Sequence, residues 1–267
     1  MQRRNLFAIA LAAGAVSFLP ACGKKQAELK PILVGSTAGT QSQIAENAAK
    51  IAGKLGLQVK VVEFSDYNAC NGALAAGDID VNIFQHKPYL NDVVKTRGYK
   101  FVSIGQSHIL PIGVYSKRIK DKKDIPQGAL VTISNDPTNL SRSLQLLQRE
   151  GLIKIKDSGT AAASVLDIVE NPLNLKFKEI DSGFLVRSLD DADLGVVNGG
   201  WAIAAGLQPG KDSIALEDGT SPFAIQIVVR EADKDRPEFE VLKKAVNSEE
   251  QKKWLAEKFK GAVAAAF

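Results

Sequence analysis

Three short segments carry most of the side chains in this 267-residue chain that could hold a small polar molecule. In Asn82-Ile-Phe-Gln-His-Lys-Pro-Tyr-Leu90, Pro88 suits the first turn of a helix, where a missing N–H costs nothing, so Phe84, His86 and Tyr89 gather around a helix start. In Ser134-Asn-Asp-Pro-Thr-Asn-Leu-Ser-Arg142, any of Ser134, Asn135 or Asp136 can cap a helix that opens at Pro137. The N–H groups of such a helix start also attract a carboxylate. Asn139 and Arg142 are three residues apart and share a helix face, and a guanidinium can hold a carboxylate through two parallel hydrogen bonds. In Asp193-Leu-Gly-Val-Val-Asn-Gly-Gly-Trp201, the strand-like Val196 and Val197 give way to Asn198, whose amide both donates and accepts. Gly199 and Gly200 then allow close backbone approach before Trp201. Each segment also has a purely structural reading: core aromatics beside a turn-capping histidine, a capped surface helix with a solvated arginine, and a tight turn against a core tryptophan. Local pattern leaves both readings open.

Each segment falls where a strand gives way to a helix, and the elements that must position them alternate along the chain. Residues 32–35, 57–64, 79–84, 99–105 and 112–116 read as strands, interleaved with helices at 41–55, 68–76 and 87–96. A lysine-rich stretch, 117–123, ends at the turn Ile125-Pro-Gln-Gly128 and opens a second series. There, strands at 129–134, 175–180 and 194–197 alternate with helices at 138–150, 164–170 and 184–189. A last strand at 225–229 leads to helices at 237–245 and 248–258. Alternation of this kind predicts βαβ units and parallel sheets. Two such series with a strand and helices left over predict a bilobed α/β protein, like the periplasmic binding proteins, with a ligand cleft between the lobes and two chain crossovers. The expected division is lobe one at 31–115 and 221–267, and lobe two at 116–220. Ligands of open α/β sheets bind beyond the carboxyl ends of the strands, so the three segments face the cleft.

The first residues read as a targeting segment. Arg3 and Arg4 precede an uncharged, largely apolar run at 6–19, the layout of a secretory signal peptide and short for a membrane span of about 20 residues. The run ends at Leu19-Pro-Ala-Cys22, which resembles the lipobox of bacterial lipoproteins. That resemblance implies cleavage before Cys22 and lipid attachment to its sulfur, followed by a polar tether over 22–30; stable anchoring then rests on two or three acyl chains. Residues 1–21 carry two arginines and no acid, so the mature chain has 32 basic against 30 acidic residues, a net +2 rather than +4. The charges are interspersed, without the basic stripe and interleaved aromatics of a nucleic-acid binder. Cys70 is left without an intrachain partner, which excludes a disulfide or cysteine metal site and suits a small buried residue.

Taken together, Phe84-Gln-His-Lys-Pro-Tyr-Leu90, Tyr115-Ser-Lys117, Asn135-Asp-Pro-Thr-Asn139 with Arg142, Ile168-Val-Glu-Asn-Pro172 with Asn174-Leu175, and Ser188-Leu-Asp-Asp191 resemble the methionine-binding NlpA lipoproteins. The resemblance runs in order through Lys260-Gly-Ala-Val263. It implies a two-lobed substrate-binding component of a methionine ABC importer, held at the cell envelope by its lipid, working as a monomer with permease and ATPase subunits and without a cofactor. It implies further that Arg142 holds the amino acid's carboxylate and Asn198 orients its backbone. By the same resemblance Tyr67, Phe84 and Tyr89 surround the side chain with His86 at the edge, His108 and Asn139 stand beside them, and Trp201 is a further candidate for binding. Thioethers favour aromatic surroundings. The chain departs from many relatives at Gly199-Gly200-Trp201, where a tyrosine is common, and in the missing proline of Asp181-Ser-Gly-Phe-Leu-Val186.

Other classes fit less of the sequence. A Ser or Cys hydrolase would need more than His86 and His108, and no Gly-x-Ser-x-Gly elbow is present. A zinc or manganese lipoprotein could use both histidines but would lack one or two ligands. A surface lipoprotein without a transport role is the third alternative.

Overall fold

The computed structural model describes residues 29–156, 162–218 and 222–267. The expected signal peptide at 1–21, the lipid-bearing Cys22 and most of the tether lie outside the described residues. Among the described residues, no helix is long and apolar enough to cross a membrane.

Two five-stranded sheets organise the chain, each with a layer of helices. The first sheet runs, edge to edge, Val59–Phe64, Ile32–Thr37, Val81–Asn82, Gln226–Arg230 and Phe101–Gln106. The second runs Lys176–Ile180, Leu130–Ser134, Leu194–Val197, Gly113–Tyr115 and Ser213–Leu216. In each sheet the first three strands are mutually parallel and the fourth is antiparallel to both neighbours. That fourth strand is the one adjoining a crossover: Gly113–Tyr115 arrives from the first sheet, and Gln226–Arg230 returns to it. The expected bilobed α/β architecture with two crossovers is the observed one.

The crossing points shift slightly from expectation. Residues 113–115, assigned to lobe one from sequence, hydrogen-bond with Leu194–Val197 and Ser213–Leu216 in the second sheet. His108–Ile109 pairs instead with Ala264–Ala265 near the end of the chain. Residues 110–112 lie between those two pairings. Alternation in the apolar pattern locates strands but does not say which sheet they join.

Strands in the sheet centres are buried throughout, as Leu194–Val197 shows, because helices cover both faces of a parallel sheet. Separate apolar clusters sit under each sheet, one built around Ile32, Val34, Val81 and Ile227, the other around Val131, Ile133, Leu144 and Val196. Helix starts follow the capping chemistry read from sequence. Asp66 accepts from Ala69 N at 2.8 Å to open Tyr67–Ala76, and Asp136 accepts from Asn139 N at 2.9 Å to open Pro137–Arg149. One expected helix is absent. Over 164–170, a capping box between Ser164 and Asp167 closes a single 3-10 turn, Val165–Asp167, and the chain then extends as Ile168–Glu170 against Lys154–Ile155. The β-branched Ile168 and Val169 favour that extended course.

Candidate functional site

Strand ends and helix starts from both lobes converge between the sheets. The first sheet contributes Phe84, Gln85 and His86, just after Val81–Asn82, together with Tyr67 and Tyr89 from two helix first turns. The second contributes Asn139 and Arg142 from Pro137–Arg149, and Asn198, Gly199 and Gly200 after Leu194–Val197. All of these line one cavity, with Gln41, Leu110 and Ile225 completing its wall. Gly199 is needed there for space: a Cβ would fall 2.4 Å from the Pro111 carbonyl oxygen, so only glycine lets this loop meet the crossing segment.

The first-sheet side is aromatic. Tyr67 stacks on Phe84 with centroids 5.4 Å apart, and Tyr89 meets Tyr67 edge-on at 5.7 Å. Trp201 does not line the cavity; it backs the cluster from the second lobe, its indole N–H donating to Tyr67 Oη at 3.0 Å. Burial pushes the Tyr67 and Tyr89 phenols above their ordinary range, and nearby Asp136 adds to the effect. Both stay protonated.

His86 is buried and its tautomer follows from its partners. Nδ1 accepts from Tyr89 N at 3.1 Å, capping Lys87–Arg97, so the proton of the neutral ring sits on Nε2 and is donated to Asn139 Oδ1 at 3.1 Å. Burial, and then the Arg142 charge, lowers its pKa to about 4. Asn139 Oδ1 also accepts from Asn198 Nδ2 at 2.8 Å, while Asn139 Nδ2 donates to Asp136 Oδ2 at 2.9 Å. One amide thus ties the two lobes together through named atoms.

Arg142 lies at the other end, 4% exposed. Its Nε donates to Glu217 Oε1 at 2.9 Å, and its Nη2 to Glu217 Oε2 and, at 3.0 Å, to the Leu110 carbonyl oxygen. The guanidinium also lies 4.2 Å from the centroid of the Phe223 ring, which meets His86 edge-on at 5.0 Å. These bonds use Nε–H and both Nη2–H groups, and among the described residues Nη1 donates to none. The bidentate carboxylate fixes the plane of the fork and leaves the two N–H groups of Nη1 as its remaining donors.

Of the residues singled out from sequence, Tyr67, Phe84, His86, Tyr89, Asn139, Arg142 and Asn198 come together here. His108 does not. It sits in the short strand His108–Ile109 behind the cavity, its Nδ1 2.9 Å from Ser107 Oγ, and burial lowers its pKa to about 3. Leu110, two residues on, is the one that reaches the site. Among the described residues no three His, Cys, Asp or Glu side chains converge on a point. Sequence reasoning missed Gln41, Glu217 and Phe223. Gln41 was within reach, since it follows the first strand as the other segments follow theirs; Glu217, 75 residues from Arg142, carried no local signal.

The profile of the NlpA lipoprotein family matches residues 32–267. The chain is 48% identical over 235 residues to the D-methionine-binding lipoprotein MetQ of Salmonella typhi, covering 87% of each. A nutrient binding protein from Burkholderia cenocepacia bound to methionine superposes with a TM-score of 0.86 at 51% identity, covering 88% of this chain and all of that one. A periplasmic substrate-binding protein of an ABC transporter from Coxiella burnetii superposes at 0.84 and 40% identity, over 88% of this chain and 100% of its own.

Proposed function

Because the chain belongs to the NlpA lipoprotein family, we propose that it is an exported, lipid-anchored solute-binding protein that captures methionine between its lobes and delivers it to an ABC importer. One observation carries the reading: a buried arginine from the second lobe and an aromatic cluster from the first line the same cavity. Methionine has the matching polarity, a charged head and a polarisable thioether tail. The carboxylate meets the Nη1 end of the Arg142 guanidinium, Asn198 orients the α-carbon groups, and the thioether lies among Tyr67, Phe84 and Tyr89. His86 stays neutral and acts as a strut through Asn139. The ligand binds one lobe first, the other closes over it, and the closed form docks on the permease, a hinge transition of the kind common to two-lobed binders.

We place the lobe boundaries within 110–112 and 217–225, and the anchor on Cys22 after removal of residues 1–21. The protein then works as a monomer at the outer face of a membrane. Replacing Cys22 with Ser shifts it from the membrane to the soluble fraction; membrane retention of that variant refutes the anchor.

The direct test is calorimetric titration with L- and D-methionine. A ligand selective for the native state stabilises it by about 2.7 kcal/mol at a hundredfold excess over Kd, so a rise in Tm accompanies binding. Absence of both heat and Tm shift for either enantiomer refutes the assignment.

A further inference from the structure

We propose that Gln41 reads the ammonium group of the bound amino acid, and so selects α-amino acids over the corresponding carboxylic acids. The inference rests on the function proposed above and concerns the one pole of the ligand for which that reading names no dedicated partner. No aspartate or glutamate lines the cavity. An ammonium there must be held by neutral oxygens, and most of those available are already engaged. Asn139 Oδ1 accepts two hydrogen bonds, Gln85 Oε1 accepts from Asn71, Tyr67 Oη accepts from Trp201, and the Leu110 carbonyl accepts from Arg142.

Gln41 Oε1 is different. It is buried and has no hydrogen-bond partner among the described residues, and of the five buried polar atoms in that condition it alone belongs to a residue lining the cavity. The side chain is 5% exposed. Its amide orientation is set by chemistry: Nε2 donates to the Phe84 carbonyl at 3.2 Å, and a flipped amide would set two oxygens against each other. The oxygen is therefore the atom left for a donor. Position agrees with this role. A Cβ built on Gly200 would lie 3.4 Å from Gln41 Cγ and 3.5 Å from Leu110 Cδ1. Gln41 thus stands beside Gly200, with Leu110 as its neighbour, and Leu110 is the residue whose carbonyl Arg142 holds. Asn198 can take a second ammonium proton through Oδ1, because its bond to Asn139 uses Nδ2.

A buried acceptor without a partner costs free energy in the empty protein, and a donating ligand removes that cost. This gives the test a readout that a scaffold role would not produce. Wild type and Gln41→Leu are titrated with L-methionine and with 4-(methylthio)butanoate, which keeps the carboxylate and thioether but has no ammonium. We expect Gln41→Leu to weaken methionine on the order of 10- to 100-fold, the loss of a hydrogen bond to a charged group. The des-amino acid should change by less than about twofold, and the ligand-free variant should melt close to wild type, because losing the unpartnered Oε1 offsets freeing the Phe84 carbonyl. Equal weakening of both ligands, or unchanged methionine affinity, overturns the proposal. Gln41→Met, unbranched and of similar length, carries the same expectations should the leucine variant unfold. Wild type that binds neither compound overturns the methionine reading itself and this inference with it.

Discussion

The two helix starts that face each other across the cleft, Lys87–Arg97 in one lobe and Pro137–Arg149 in the other, are built alike and do different work. Each has proline in its first turn, and each is capped by a side chain that accepts from the backbone N–H three residues on, His86 from Tyr89 and Asp136 from Asn139. The difference lies in charge. The first-lobe cap is a neutral ring among aromatics, whereas the second-lobe cap is an acidic side chain six residues before Arg142. Repeating one local design with opposite polarity gives a cavity with an apolar wall and an ionic wall, which orients a ligand that is itself charged at one end.

The largest expected effect tests the ionic wall. Arg142→Gln should weaken methionine by at least on the order of 100-fold, and it should also destabilise the protein, because removing one member of a buried pair typically costs about 3–5 kcal/mol. Glu217→Gln in the same molecule should recover most of the lost Tm without recovering affinity. Calorimetry and thermal unfolding separate the two consequences. Recovery of binding in the double variant would mean that the arginine serves packing rather than the ligand.

The neutrality of the opposite wall is tested by pH. His86 and His108 have folded pKa values lowered to about 4 and about 3, below the ordinary 6.5. As pH falls below 6.5 the unfolded chain takes up protons that the native protein refuses, so stability drops. Each histidine contributes up to about 1.4 kcal/mol per pH unit until its folded pKa is reached. Urea unfolding between pH 7 and 5 should show this loss, and His108→Gln should reduce the slope. An NMR titration that finds the His86 ring charged at pH 6 would put a cation on the first-lobe wall and end the division proposed here.

These two histidines also mark how far the sequence could be read. Alternating strands and helices, proline-marked helix starts and the Phe84–Leu90 segment were legible because each is local: propensity, capping and spacing act within a few residues. His86 carried a helix-start context, and it caps that helix and meets Asn139. His108 had only its residue type, and type alone does not distinguish a cleft from the back of a crossover. Glu217 and Phe223 were invisible for the same reason, since their partner Arg142 is reached only once the second sheet has folded and returned the chain. The missed turn at 165–167 shows the converse, a single capped turn where a longer helix was expected and which β-branched residues do not continue.

A smaller effect sharpens the apolar wall. Phe84 is 3% exposed and stacks on Tyr67, so truncation to alanine would open a void in the surrounding cluster. Phe84→Leu keeps most of the volume and removes the ring. Methionine affinity should fall by about tenfold, while alanine, which reaches only the polar end, should fall by no more than about twofold. Equal losses would show that Phe84 shapes the whole cavity rather than its thioether end.

The smallest effect concerns the contact that joins the two walls. Tyr67 Oη accepts the Trp201 indole N–H across the cleft at 3.0 Å. Tyr67→Phe keeps the stacking with Phe84 and deletes that bond, leaving the indole N–H of a half-buried tryptophan to find water. A neutral hydrogen bond contributes about 0.5–1.5 kcal/mol, so affinity should fall by roughly two- to tenfold. Because the bond spans the lobes, the loss should appear in the dissociation rate rather than the association rate, which stopped-flow tryptophan fluorescence can follow. A variant with unchanged dissociation would show that closure is held by Asn139 with His86, and that the aromatic wall belongs to the first lobe alone.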